Sequence, residues 1–515
     1  MSELRVNRIQ SPTGNAVEVL PGLAFQASGV GAVVRSTQDK LREFVSPLDF
    51  GAVGDGVTDD TASIQAAINS LAAHGIIDGR GKEYLVTSLF VKSYMKMQNF
   101  KLKTKPGSVD FVAPITIDGV TAPKVDITFF DVHINGDRAQ QTNIVSPSED
   151  GGRHGFRGLG RVSRLRLLNC SANYCAGDGI SLFSADSKPS TDAYDGLCFQ
   201  DTHIEGCTFD WNRRNGMSFD SINGIKIIGC NARHNGQNVG SSLGTGTWSG
   251  FNFEGYGVGT AIHEVEIIGG DFTNNRSKCL FVDFLDATLP GFLPRKNIRI
   301  SNCRFSTTDS TFDGALSIHG PGARPDLGLY IYENVQITGC RFDNWLELRG
   351  IKNLLVSGGS MTPDYGARFY ASIQESTSWH FNIHAPRREL AFDALPFSVL
   401  RTNVFGDTVF EAESHSFLGF TNNGMLFEYR GAVTAPAGND YMTTFTVSAG
   451  HRMILLNGSF RAPQPVLEHA DFSSFDLDGR PYAGVSAAYN VSASPVGIRH
   501  MRIVYEIQEF AGLPA

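Results

Sequence analysis

The sequence predicts an all-β protein whose centre is a stack of short repeated coils, closed at its start by a helix and followed by antiparallel strands. Composition supports this first: of 515 residues 56 are Gly and 36 Phe, while only 19% are charged, as suits a turn-rich β chain. The second observation is a recurring phrase, LLNCSAN around Cys170, IEGCTFD around Cys207, IIGCNAR around Cys230, ISNCRFS around Cys303 and ITGCRFD around Cys340. Two further copies, IIGGDFT and VSGGSMT, put Gly270 and Gly359 at the Cys position. Successive copies lie 37, 23, 40, 33, 37 and 19 residues apart, which fits coils of about 20 residues with loops inserted in some of them. The third observation is that a second strand follows each phrase.

Taken in order along the chain, residues 1–45 form a first module. Its stretch RVNRIQSPTGNAVEV reads as strand, turn and strand, too small to bury a core of its own, so order there requires a partner. The N-terminus lacks the apolar stretch of a signal peptide, and no run of about 18 apolar residues occurs to span a bilayer. Neither export by a leader nor membrane insertion is therefore expected.

Residues 46–67 (SPLDFGAVGDGVTDDTASIQAA) join a Gly-rich turn to a helix. Asp59, Asp60 and Thr61 offer acceptors to the free N–H groups of the first helical turn, where negative charge is also favoured. Ile64, Ala67, Ile68 and Leu71 recur at helical spacing, and Gly75 is the expected stop. A stack of β-coils leaves an unpaired edge and an open apolar end at its first rung, and such a helix covers both. Gly51, Gly54 and Gly56 read as turn residues; a phosphate cradle is the alternative, without the Lys-Ser/Thr ending of a P-loop.

All eight cysteines lie from Cys170 to Cys340. Equivalent positions stacked coil on coil predict buried, reduced thiols; a disulfide framework is the competing arrangement, and no CxxC or Cys/His spacing suggests zinc. The net charge of −8 without any Lys/Arg run argues against nucleic acid as a partner, and more mildly against a strongly polyanionic ligand.

The second strands, aligned on their apolar second and fourth residues, are GISLF (179–183), GMSFD (216–220), GFNFE (250–254), CLFVD (279–283), ALSIH (315–319) and WLELR (345–349). Alternation sends those apolar pairs inward and the fifth residue outward. The outward column then reads Phe183, Asp220, Glu254, Asp283, His319 and Arg349. At a strand spacing of about 4.8 Å, Asp220, Glu254 and Asp283 would repel one another, a cost that calls for a functional reason. Glycoside hydrolysis supplies one, since it needs an acid to protonate the leaving oxygen and a carboxylate to act as nucleophile or base. The alternative is a solvated acidic stripe neutralised by Arg213, Arg214 and Lys278. Glu254 and Asp283 are the expected working pair, with Asp286 as alternative partner and Asp220 as modulator or sugar ligand. A carboxyl separation of about 5 Å would give retention and about 6.5–9.5 Å inversion.

His319 and Arg349 are expected to contact substrate, His319 as a donor, an acid or base, or a counter-charge to Asp283. Trp248, Tyr256 and Trp345 flank the column and could stack on apolar sugar faces, or equally pack a loop or core. The loop at 184–196, SADSKPSTDAYDG, either borders the groove or is an ordinary surface loop, and lacks calcium-loop spacing. No metal or cofactor is implied.

Residues 46–67 resemble the start of a pectate-lyase-like right-handed parallel β-helix, and residues 27–45 (ASGVGAVVRSTQDKLREFV) resemble the segment preceding it in bacteriophage tailspikes. The likeness covers about the first 70 residues directly and the rest through the repeat architecture; the spacing of Glu254, Asp283 and Asp286 is also similar to that in tailspike endoglycosidases. It implies a homotrimeric phage spike made in the host cytoplasm, attached through residues 1–45 to the phage tail or an adaptor protein, and acting at the host surface. Residues 46–374 would be the β-helix and residues 375–515 a β-sandwich that trimerises or binds carbohydrate, as the alternation in MLFEYRGAV, YMTTFTVSAG, HRMILLNGSF and IRHMRIVYEIQEF suggests. The implied activity is endoglycosidic hydrolysis of capsule or O-antigen polysaccharide. A lyase remains the runner-up, recruiting His319, Arg349, Lys278 or Tyr256; repulsion between uronates and an acidic column favours hydrolysis of a neutral or weakly charged glycan. A non-catalytic receptor-binding spike is the third reading, and a site between subunits is a second possible location.

Overall fold

The computed structural model describes residues 24–41, 43–107, 113–141, 153–183, 199–237, 248–255, 260–283, 285–292, 294–308, 314–320, 329–343 and 345–361. Beyond these it describes the backbone of eight later strands, from Ala371–Gln374 to Ile498–Glu509.

Three parallel sheets stack coil on coil, so the chain is a parallel β-helix. The first sheet holds the long strands Phe199–Glu205, Ile222–Ile228, Ile262–Ile268, Arg295–Ser301 and Tyr332–Thr338, each paired with the next in register. Its inward positions include one stacked row, Thr202, Ile225, Val265, Ile298 and Val335, all buried. The Cys phrase is the turn from the first sheet to the second. There the Cys170 N–H donates to Cys207 Sγ at 3.3 Å and the Cys303 N–H to Cys340 Sγ at 3.5 Å. Among the described residues seven cysteines are free and buried, as expected of stacked thiols. Gly270 replaces Cys where a Cβ would meet the Phe272 ring at 2.4 Å.

The second sheet is short and presents Phe272, Phe305 and Phe342 to the core as stacked rings 5.4 and 5.3 Å apart. Inside the turn between the second and third sheets, Asn212, Asn235 and Asn275 form a ladder. Each side-chain oxygen accepts the backbone N–H of the preceding coil's equivalent residue at 2.9–3.0 Å, which satisfies the N–H groups of Cys175, Asn212 and Asn235.

The helix at the start runs Thr61–Ser70 and buries Ile64, Ala67 and Ile68 against the core, with Leu71 beside them. Gln65 fastens it to the first coils by bonding Phe90 N–H at 2.8 Å and Phe90 C=O at 3.0 Å. Two expectations here are corrected. Asp60 makes no side-chain cap; it accepts the Val53 and Gly54 N–H groups at 2.7 and 3.0 Å, pinning the Gly-rich turn, while Asp59 binds the Thr61 N–H. The helix stops at Ser70, and Gly75 opens the strand Gly75–Asp78 instead. Gly54 and Gly56 adopt φ of 68° and 71°, which makes them turn residues.

Ahead of the helix, Ala24–Gln26 and Val34–Ser36 form an antiparallel hairpin; the strand-turn-strand expected in residues 5–19 lies outside the described residues. Parallel pairing continues past residue 374 through His380–His384 and Thr408–Glu413 to Met425–Thr434. Antiparallel pairing then takes over, Met425–Thr434 and His451–Arg461 each against Ile498–Glu509, and Tyr441–Val447 against Val485–Val491.

Candidate active site

The third sheet carries the predicted column. Its strands Ile180–Phe183, Met217–Phe219 and Phe251–Gly255 align with Ile180 opposite Met217 and Met217 opposite Phe251, which places Phe183, Asp220 and Glu254 on successive rungs. The next pairing differs. Glu254 lies opposite Val282, and Gly255 lies opposite Asp283. Below that, Val282 is opposite His319, and His319 opposite Arg349. The outward column is therefore Phe183, Asp220, Glu254, Val282, His319 and Arg349.

Asp283 is thus corrected from an outward catalytic carboxylate to an inward one. Cys279 and Phe281 fill the core where Leu280 and Val282 were expected, and the Phe281 ring stacks on Phe253 at 4.4 Å. Period two then turns Asp283 inside, where it and Arg295 are both 0% exposed and joined at 2.6 Å. Asp283 also accepts the Leu285 N–H at 2.9 Å, and Arg295 donates to the Thr260 carbonyl and faces the Phe292 ring at 5.1 Å. Burial pushes the Asp283 carboxyl up, and the charge of Arg295 pulls it partly back. Gly255 leaves the room this pair needs: a Cβ there would meet Asp283 Oδ2 at 2.2 Å.

Glu254 is half-buried and receives Asn252 Nδ2 at 2.6 Å, which orients its carboxylate; Asp220, one rung away, is recessed at 8% exposure. His319 and Arg349 are half-buried at the far end of the same column. The sheet's middle column, Ser181, Ser218, Asn252, Leu280, Ser317 and Glu347, points outward by alternation, yet Asn252 and Ser317 are fully buried. Sequence reasoning missed Glu347. Its Oε2 accepts from Ser317 Oγ at 2.8 Å and is ion-paired with Lys278, which reaches it across two coils. Burial pushes Glu347 up, but the charge and hydrogen bond of Lys278 pull harder and hold it below the usual glutamate range. The signal was present in WLELR, whose third residue is the outward partner of its fifth.

The remaining expected residues are dispersed. Asp286 is exposed and folded into its own turn, accepting from Thr288 N–H and Oγ1 at 2.9 and 2.8 Å. Trp248 sits in the turn before the third sheet with the Arg276 guanidinium 4.0 Å from its ring centroid, so one face is already covered. Tyr256 and the loop at 184–196 lie outside the described residues, as does the side chain of Trp345. Asp178, three residues beyond Cys175, joins the turn ladder of this sheet, accepting the Asn215 N–H at 2.8 Å beside a buried His154. Burial pushes the Cys279 thiol up to about 12, so it offers no thiolate for chemistry. Among the described residues no group of three His, Cys, Asp or Glu side chains could hold a metal.

The class of protein in which this chain's start recurs is a phage one: residues 52–105 match the family described as the N-terminal extension of bacteriophage endosialidase. Particular relatives extend the likeness. A capsule K30/K69-specific depolymerase 1 of Klebsiella phage K5-2 is 31% identical over 162 residues, 29% of this chain and 20% of that protein. The tail spike protein of an Escherichia phage is 46% identical over 65 residues, 13% of this chain and 8% of its own length. A capsule K30/K69-specific depolymerase of Klebsiella phage K64-1 is 24% identical over 262 residues, covering 41% of this chain and 33% of that one. The chain spans a third or less of each of these relatives. The likeness to phage tailspikes and depolymerases read from residues 27–67 is borne out by these matches.

Proposed function

We propose that this chain is a phage tailspike that binds and cuts bacterial surface polysaccharide, capsule or O-antigen, by endoglycosidic hydrolysis. The observation that carries the reading is the pairing of Asp220 with Glu254 on successive outward rungs, two carboxylates on a face that alternation alone would not force to be acidic. They share the two roles of the reaction, one protonating the leaving oxygen and the other attacking the anomeric carbon. Strands about 4.8 Å apart suit the closer carboxyl spacing of a retaining glycosidase, about 5–5.5 Å. Asn252 holds Glu254 in place, a positioning role. Names of relatives that are depolymerases support the substrate class. Exposed Phe25, Val33, Val34, Leu41 and Phe44 near the start suit packing against other copies in a homotrimer, with residues 1–45 on the virion tail.

One observation favours a second reading. With Asp283 inside, the lower half of the column is His319 and Arg349, and these are the kinds of group that neutralise a uronate and remove its neighbouring proton in a lyase. The test is to digest the polysaccharide of a susceptible host with purified protein and follow both new reducing ends and the ultraviolet absorbance of unsaturated uronate. Reducing ends without absorbance, abolished in Glu254→Gln and Asp220→Asn and released with retained configuration, support hydrolysis; absorbance that persists in both variants sinks it in favour of the lyase.

A further inference from the structure

Each coil turns through a left-handed residue on either side of its second sheet, and the two resulting columns are filled differently. Where the chain enters that sheet the column reads Asn169, Gly206, Gly229, Gly269, Asn302 and Gly339, with φ from 52° to 65°. Asn and Gly accept this backbone with least strain. Where the chain leaves the sheet, three successive coils place Tyr174, Trp211 and His234 in the same conformation, at φ of 55°, 60° and 57°. Bulky side chains are disfavoured there, so backbone preference does not account for the choice. Elsewhere among the described residues large side chains in this conformation stand singly, as Arg164, Trp248 and Glu264 do, or as the pair His74 and Tyr94, whose rings are tilted by 57°. The Tyr174, Trp211 and His234 rings are instead parallel, with interplanar angles of 8° and 10°. Each immediately precedes an inward residue, Cys175, Asn212 or Asn235, whose N–H is held by a side chain of the next coil, so the buried amide ladder keeps the rings in register. The stack ends where Gly136 and Asp137 lie opposite Tyr174 on one side and where Asn274 follows His234 on the other.

We propose that Tyr174, Trp211 and His234 form a saccharide-binding strip, separate from the carboxylate column, on which a sugar ring of the polysaccharide stacks by its C–H face. Tyr174 is 45% exposed, and the other two rings are half-buried. Parallel rings in full overlap sit about 3.5–4 Å apart. Trp211 and His234, with centroids at 4.3 Å, come near that; Tyr174 and Trp211, at 6.4 Å, do not, so each leaves part of its face uncovered by the other. Among the described residues nothing is hydrogen-bonded to the Tyr174 hydroxyl, the Trp211 indole N–H or the His234 ring nitrogens. An aromatic face rimmed by such polar groups complements a sugar, which is apolar across its C–H face and polar at its hydroxyl edge. Arg138 donates to the Trp211 carbonyl at 2.7 Å and ties the strip to an earlier coil. A platform fixed before the ligand arrives loses less freedom on binding. Its place also fits: Trp211 precedes Asp220 by nine residues on one coil, and His234 precedes Glu254 on the next. A polymer crossing the third sheet from the column meets the strip without moving along the stack. This inference rests on the polysaccharide-cleaving reading for its ligand and adds a contact that the cleavage itself does not use.

The probe is the immobilised polysaccharide of a susceptible host. Equilibrium binding is measured with the full chain, as wild type and as Glu254→Gln, each with and without Tyr174→Asn and Trp211→Asn. Asn suits the left-handed backbone, so these changes remove a ring without adding strain, and thermal melting checks that each variant is folded. Either substitution should weaken binding about threefold to tenfold, and both together up to about a hundredfold. Tyr174→Phe, which keeps the ring, should retain most of the affinity. The loss should persist at high salt, because stacking is not an interaction between charges. Binding unmoved in the folded double variant overturns the strip, leaves the cleavage reading standing, and shows that the rings only join coils. Should the double variant not fold, Tyr174→Asn at the exposed end of the stack decides by the same criterion. A wild type that neither binds nor cuts the polymer sinks the cleavage reading, and the strip with it.

Discussion

Two neighbouring strands, Phe251–Gly255 and Cys279–Asp283, each carry a carboxylate near their end, and the fold gives the two groups opposite fates. Glu254 points outward and is half-buried beside Asn252; Asp283 points inward, sealed against Arg295. The difference is a single step of register, set by Phe281 stacking on Phe253 and by the lack of a side chain at Gly255. One carboxylate lies on the outer face and the other is part of the core. A strand with period two turns a shift of one residue into a change of solvent for every side chain on it.

The comparison breaks most readily through activity. Glu254→Gln should lower cleavage by about 10²–10⁴-fold, the usual worth of a general acid or base, while leaving stability within about 0.5 kcal/mol. If the rate is unchanged in a folded variant, Glu254 is surface charge and the contrast with Asp283 loses its functional meaning. For Asp283 the expected loss is in folding. Asp283→Asn strands the Arg295 guanidinium in the core and should destabilise by about 3–5 kcal/mol in denaturant titration. Replacing both partners, as Asp283→Leu with Arg295→Met, should recover most of that loss. A stable, inactive Asp283→Asn protein would return this residue to the site. Gly255→Ala sharpens the same point, because the added methyl must displace Asp283; about 1–3 kcal/mol of destabilisation is expected from overpacking.

The smallest effect is a pH dependence. Glu347 has a folded-state value below its ordinary one because of Lys278, so its contribution to stability is present above the ordinary glutamate value and is lost as pH falls through the lowered one. Melting temperatures from neutral to acid pH should therefore fall more steeply for the wild type than for Lys278→Met, whose Glu347 lacks that partner. Identical slopes would mean that the ion pair is screened away.

Most of the fold was legible in the residues. The Cys phrase marked equivalent positions on successive coils and predicted the buried, reduced thiols found there, and Ile64, Ala67 and Ile68 were found on the buried face of the helix. The register of one strand was not, and the reason is physical. CLFVD has apolar residues at four consecutive positions, so alternation fits Leu280 and Val282 as well as Cys279 and Phe281. The resolving signal lay a strand away. In INGIKII, IHEVEII, RKNIRIS, YENVQIT and IKNLLVS the first residue is inward on every coil, and Arg295 takes that place among Ile222, Ile262, Tyr332 and Ile351. A guanidinium there demands a buried acid, and Asp283 is twelve residues upstream. Asp60 was misread for a related reason. Its position suited a helix cap, but the backbone N–H groups of Val53 and Gly54 compete for the same oxygens and hold them.

Because the column is assembled from whole coils, the gap between Glu254 and His319 is a ruler graduated in rungs. One coil, whose outward residue is Val282, separates them. Side-chain substitutions leave that gap unchanged; gaining or losing a complete coil would change it by one graduation. A lineage of such proteins could thus reset the spacing between these two marks by duplicating or deleting a repeat, with the side chains at either mark left untouched.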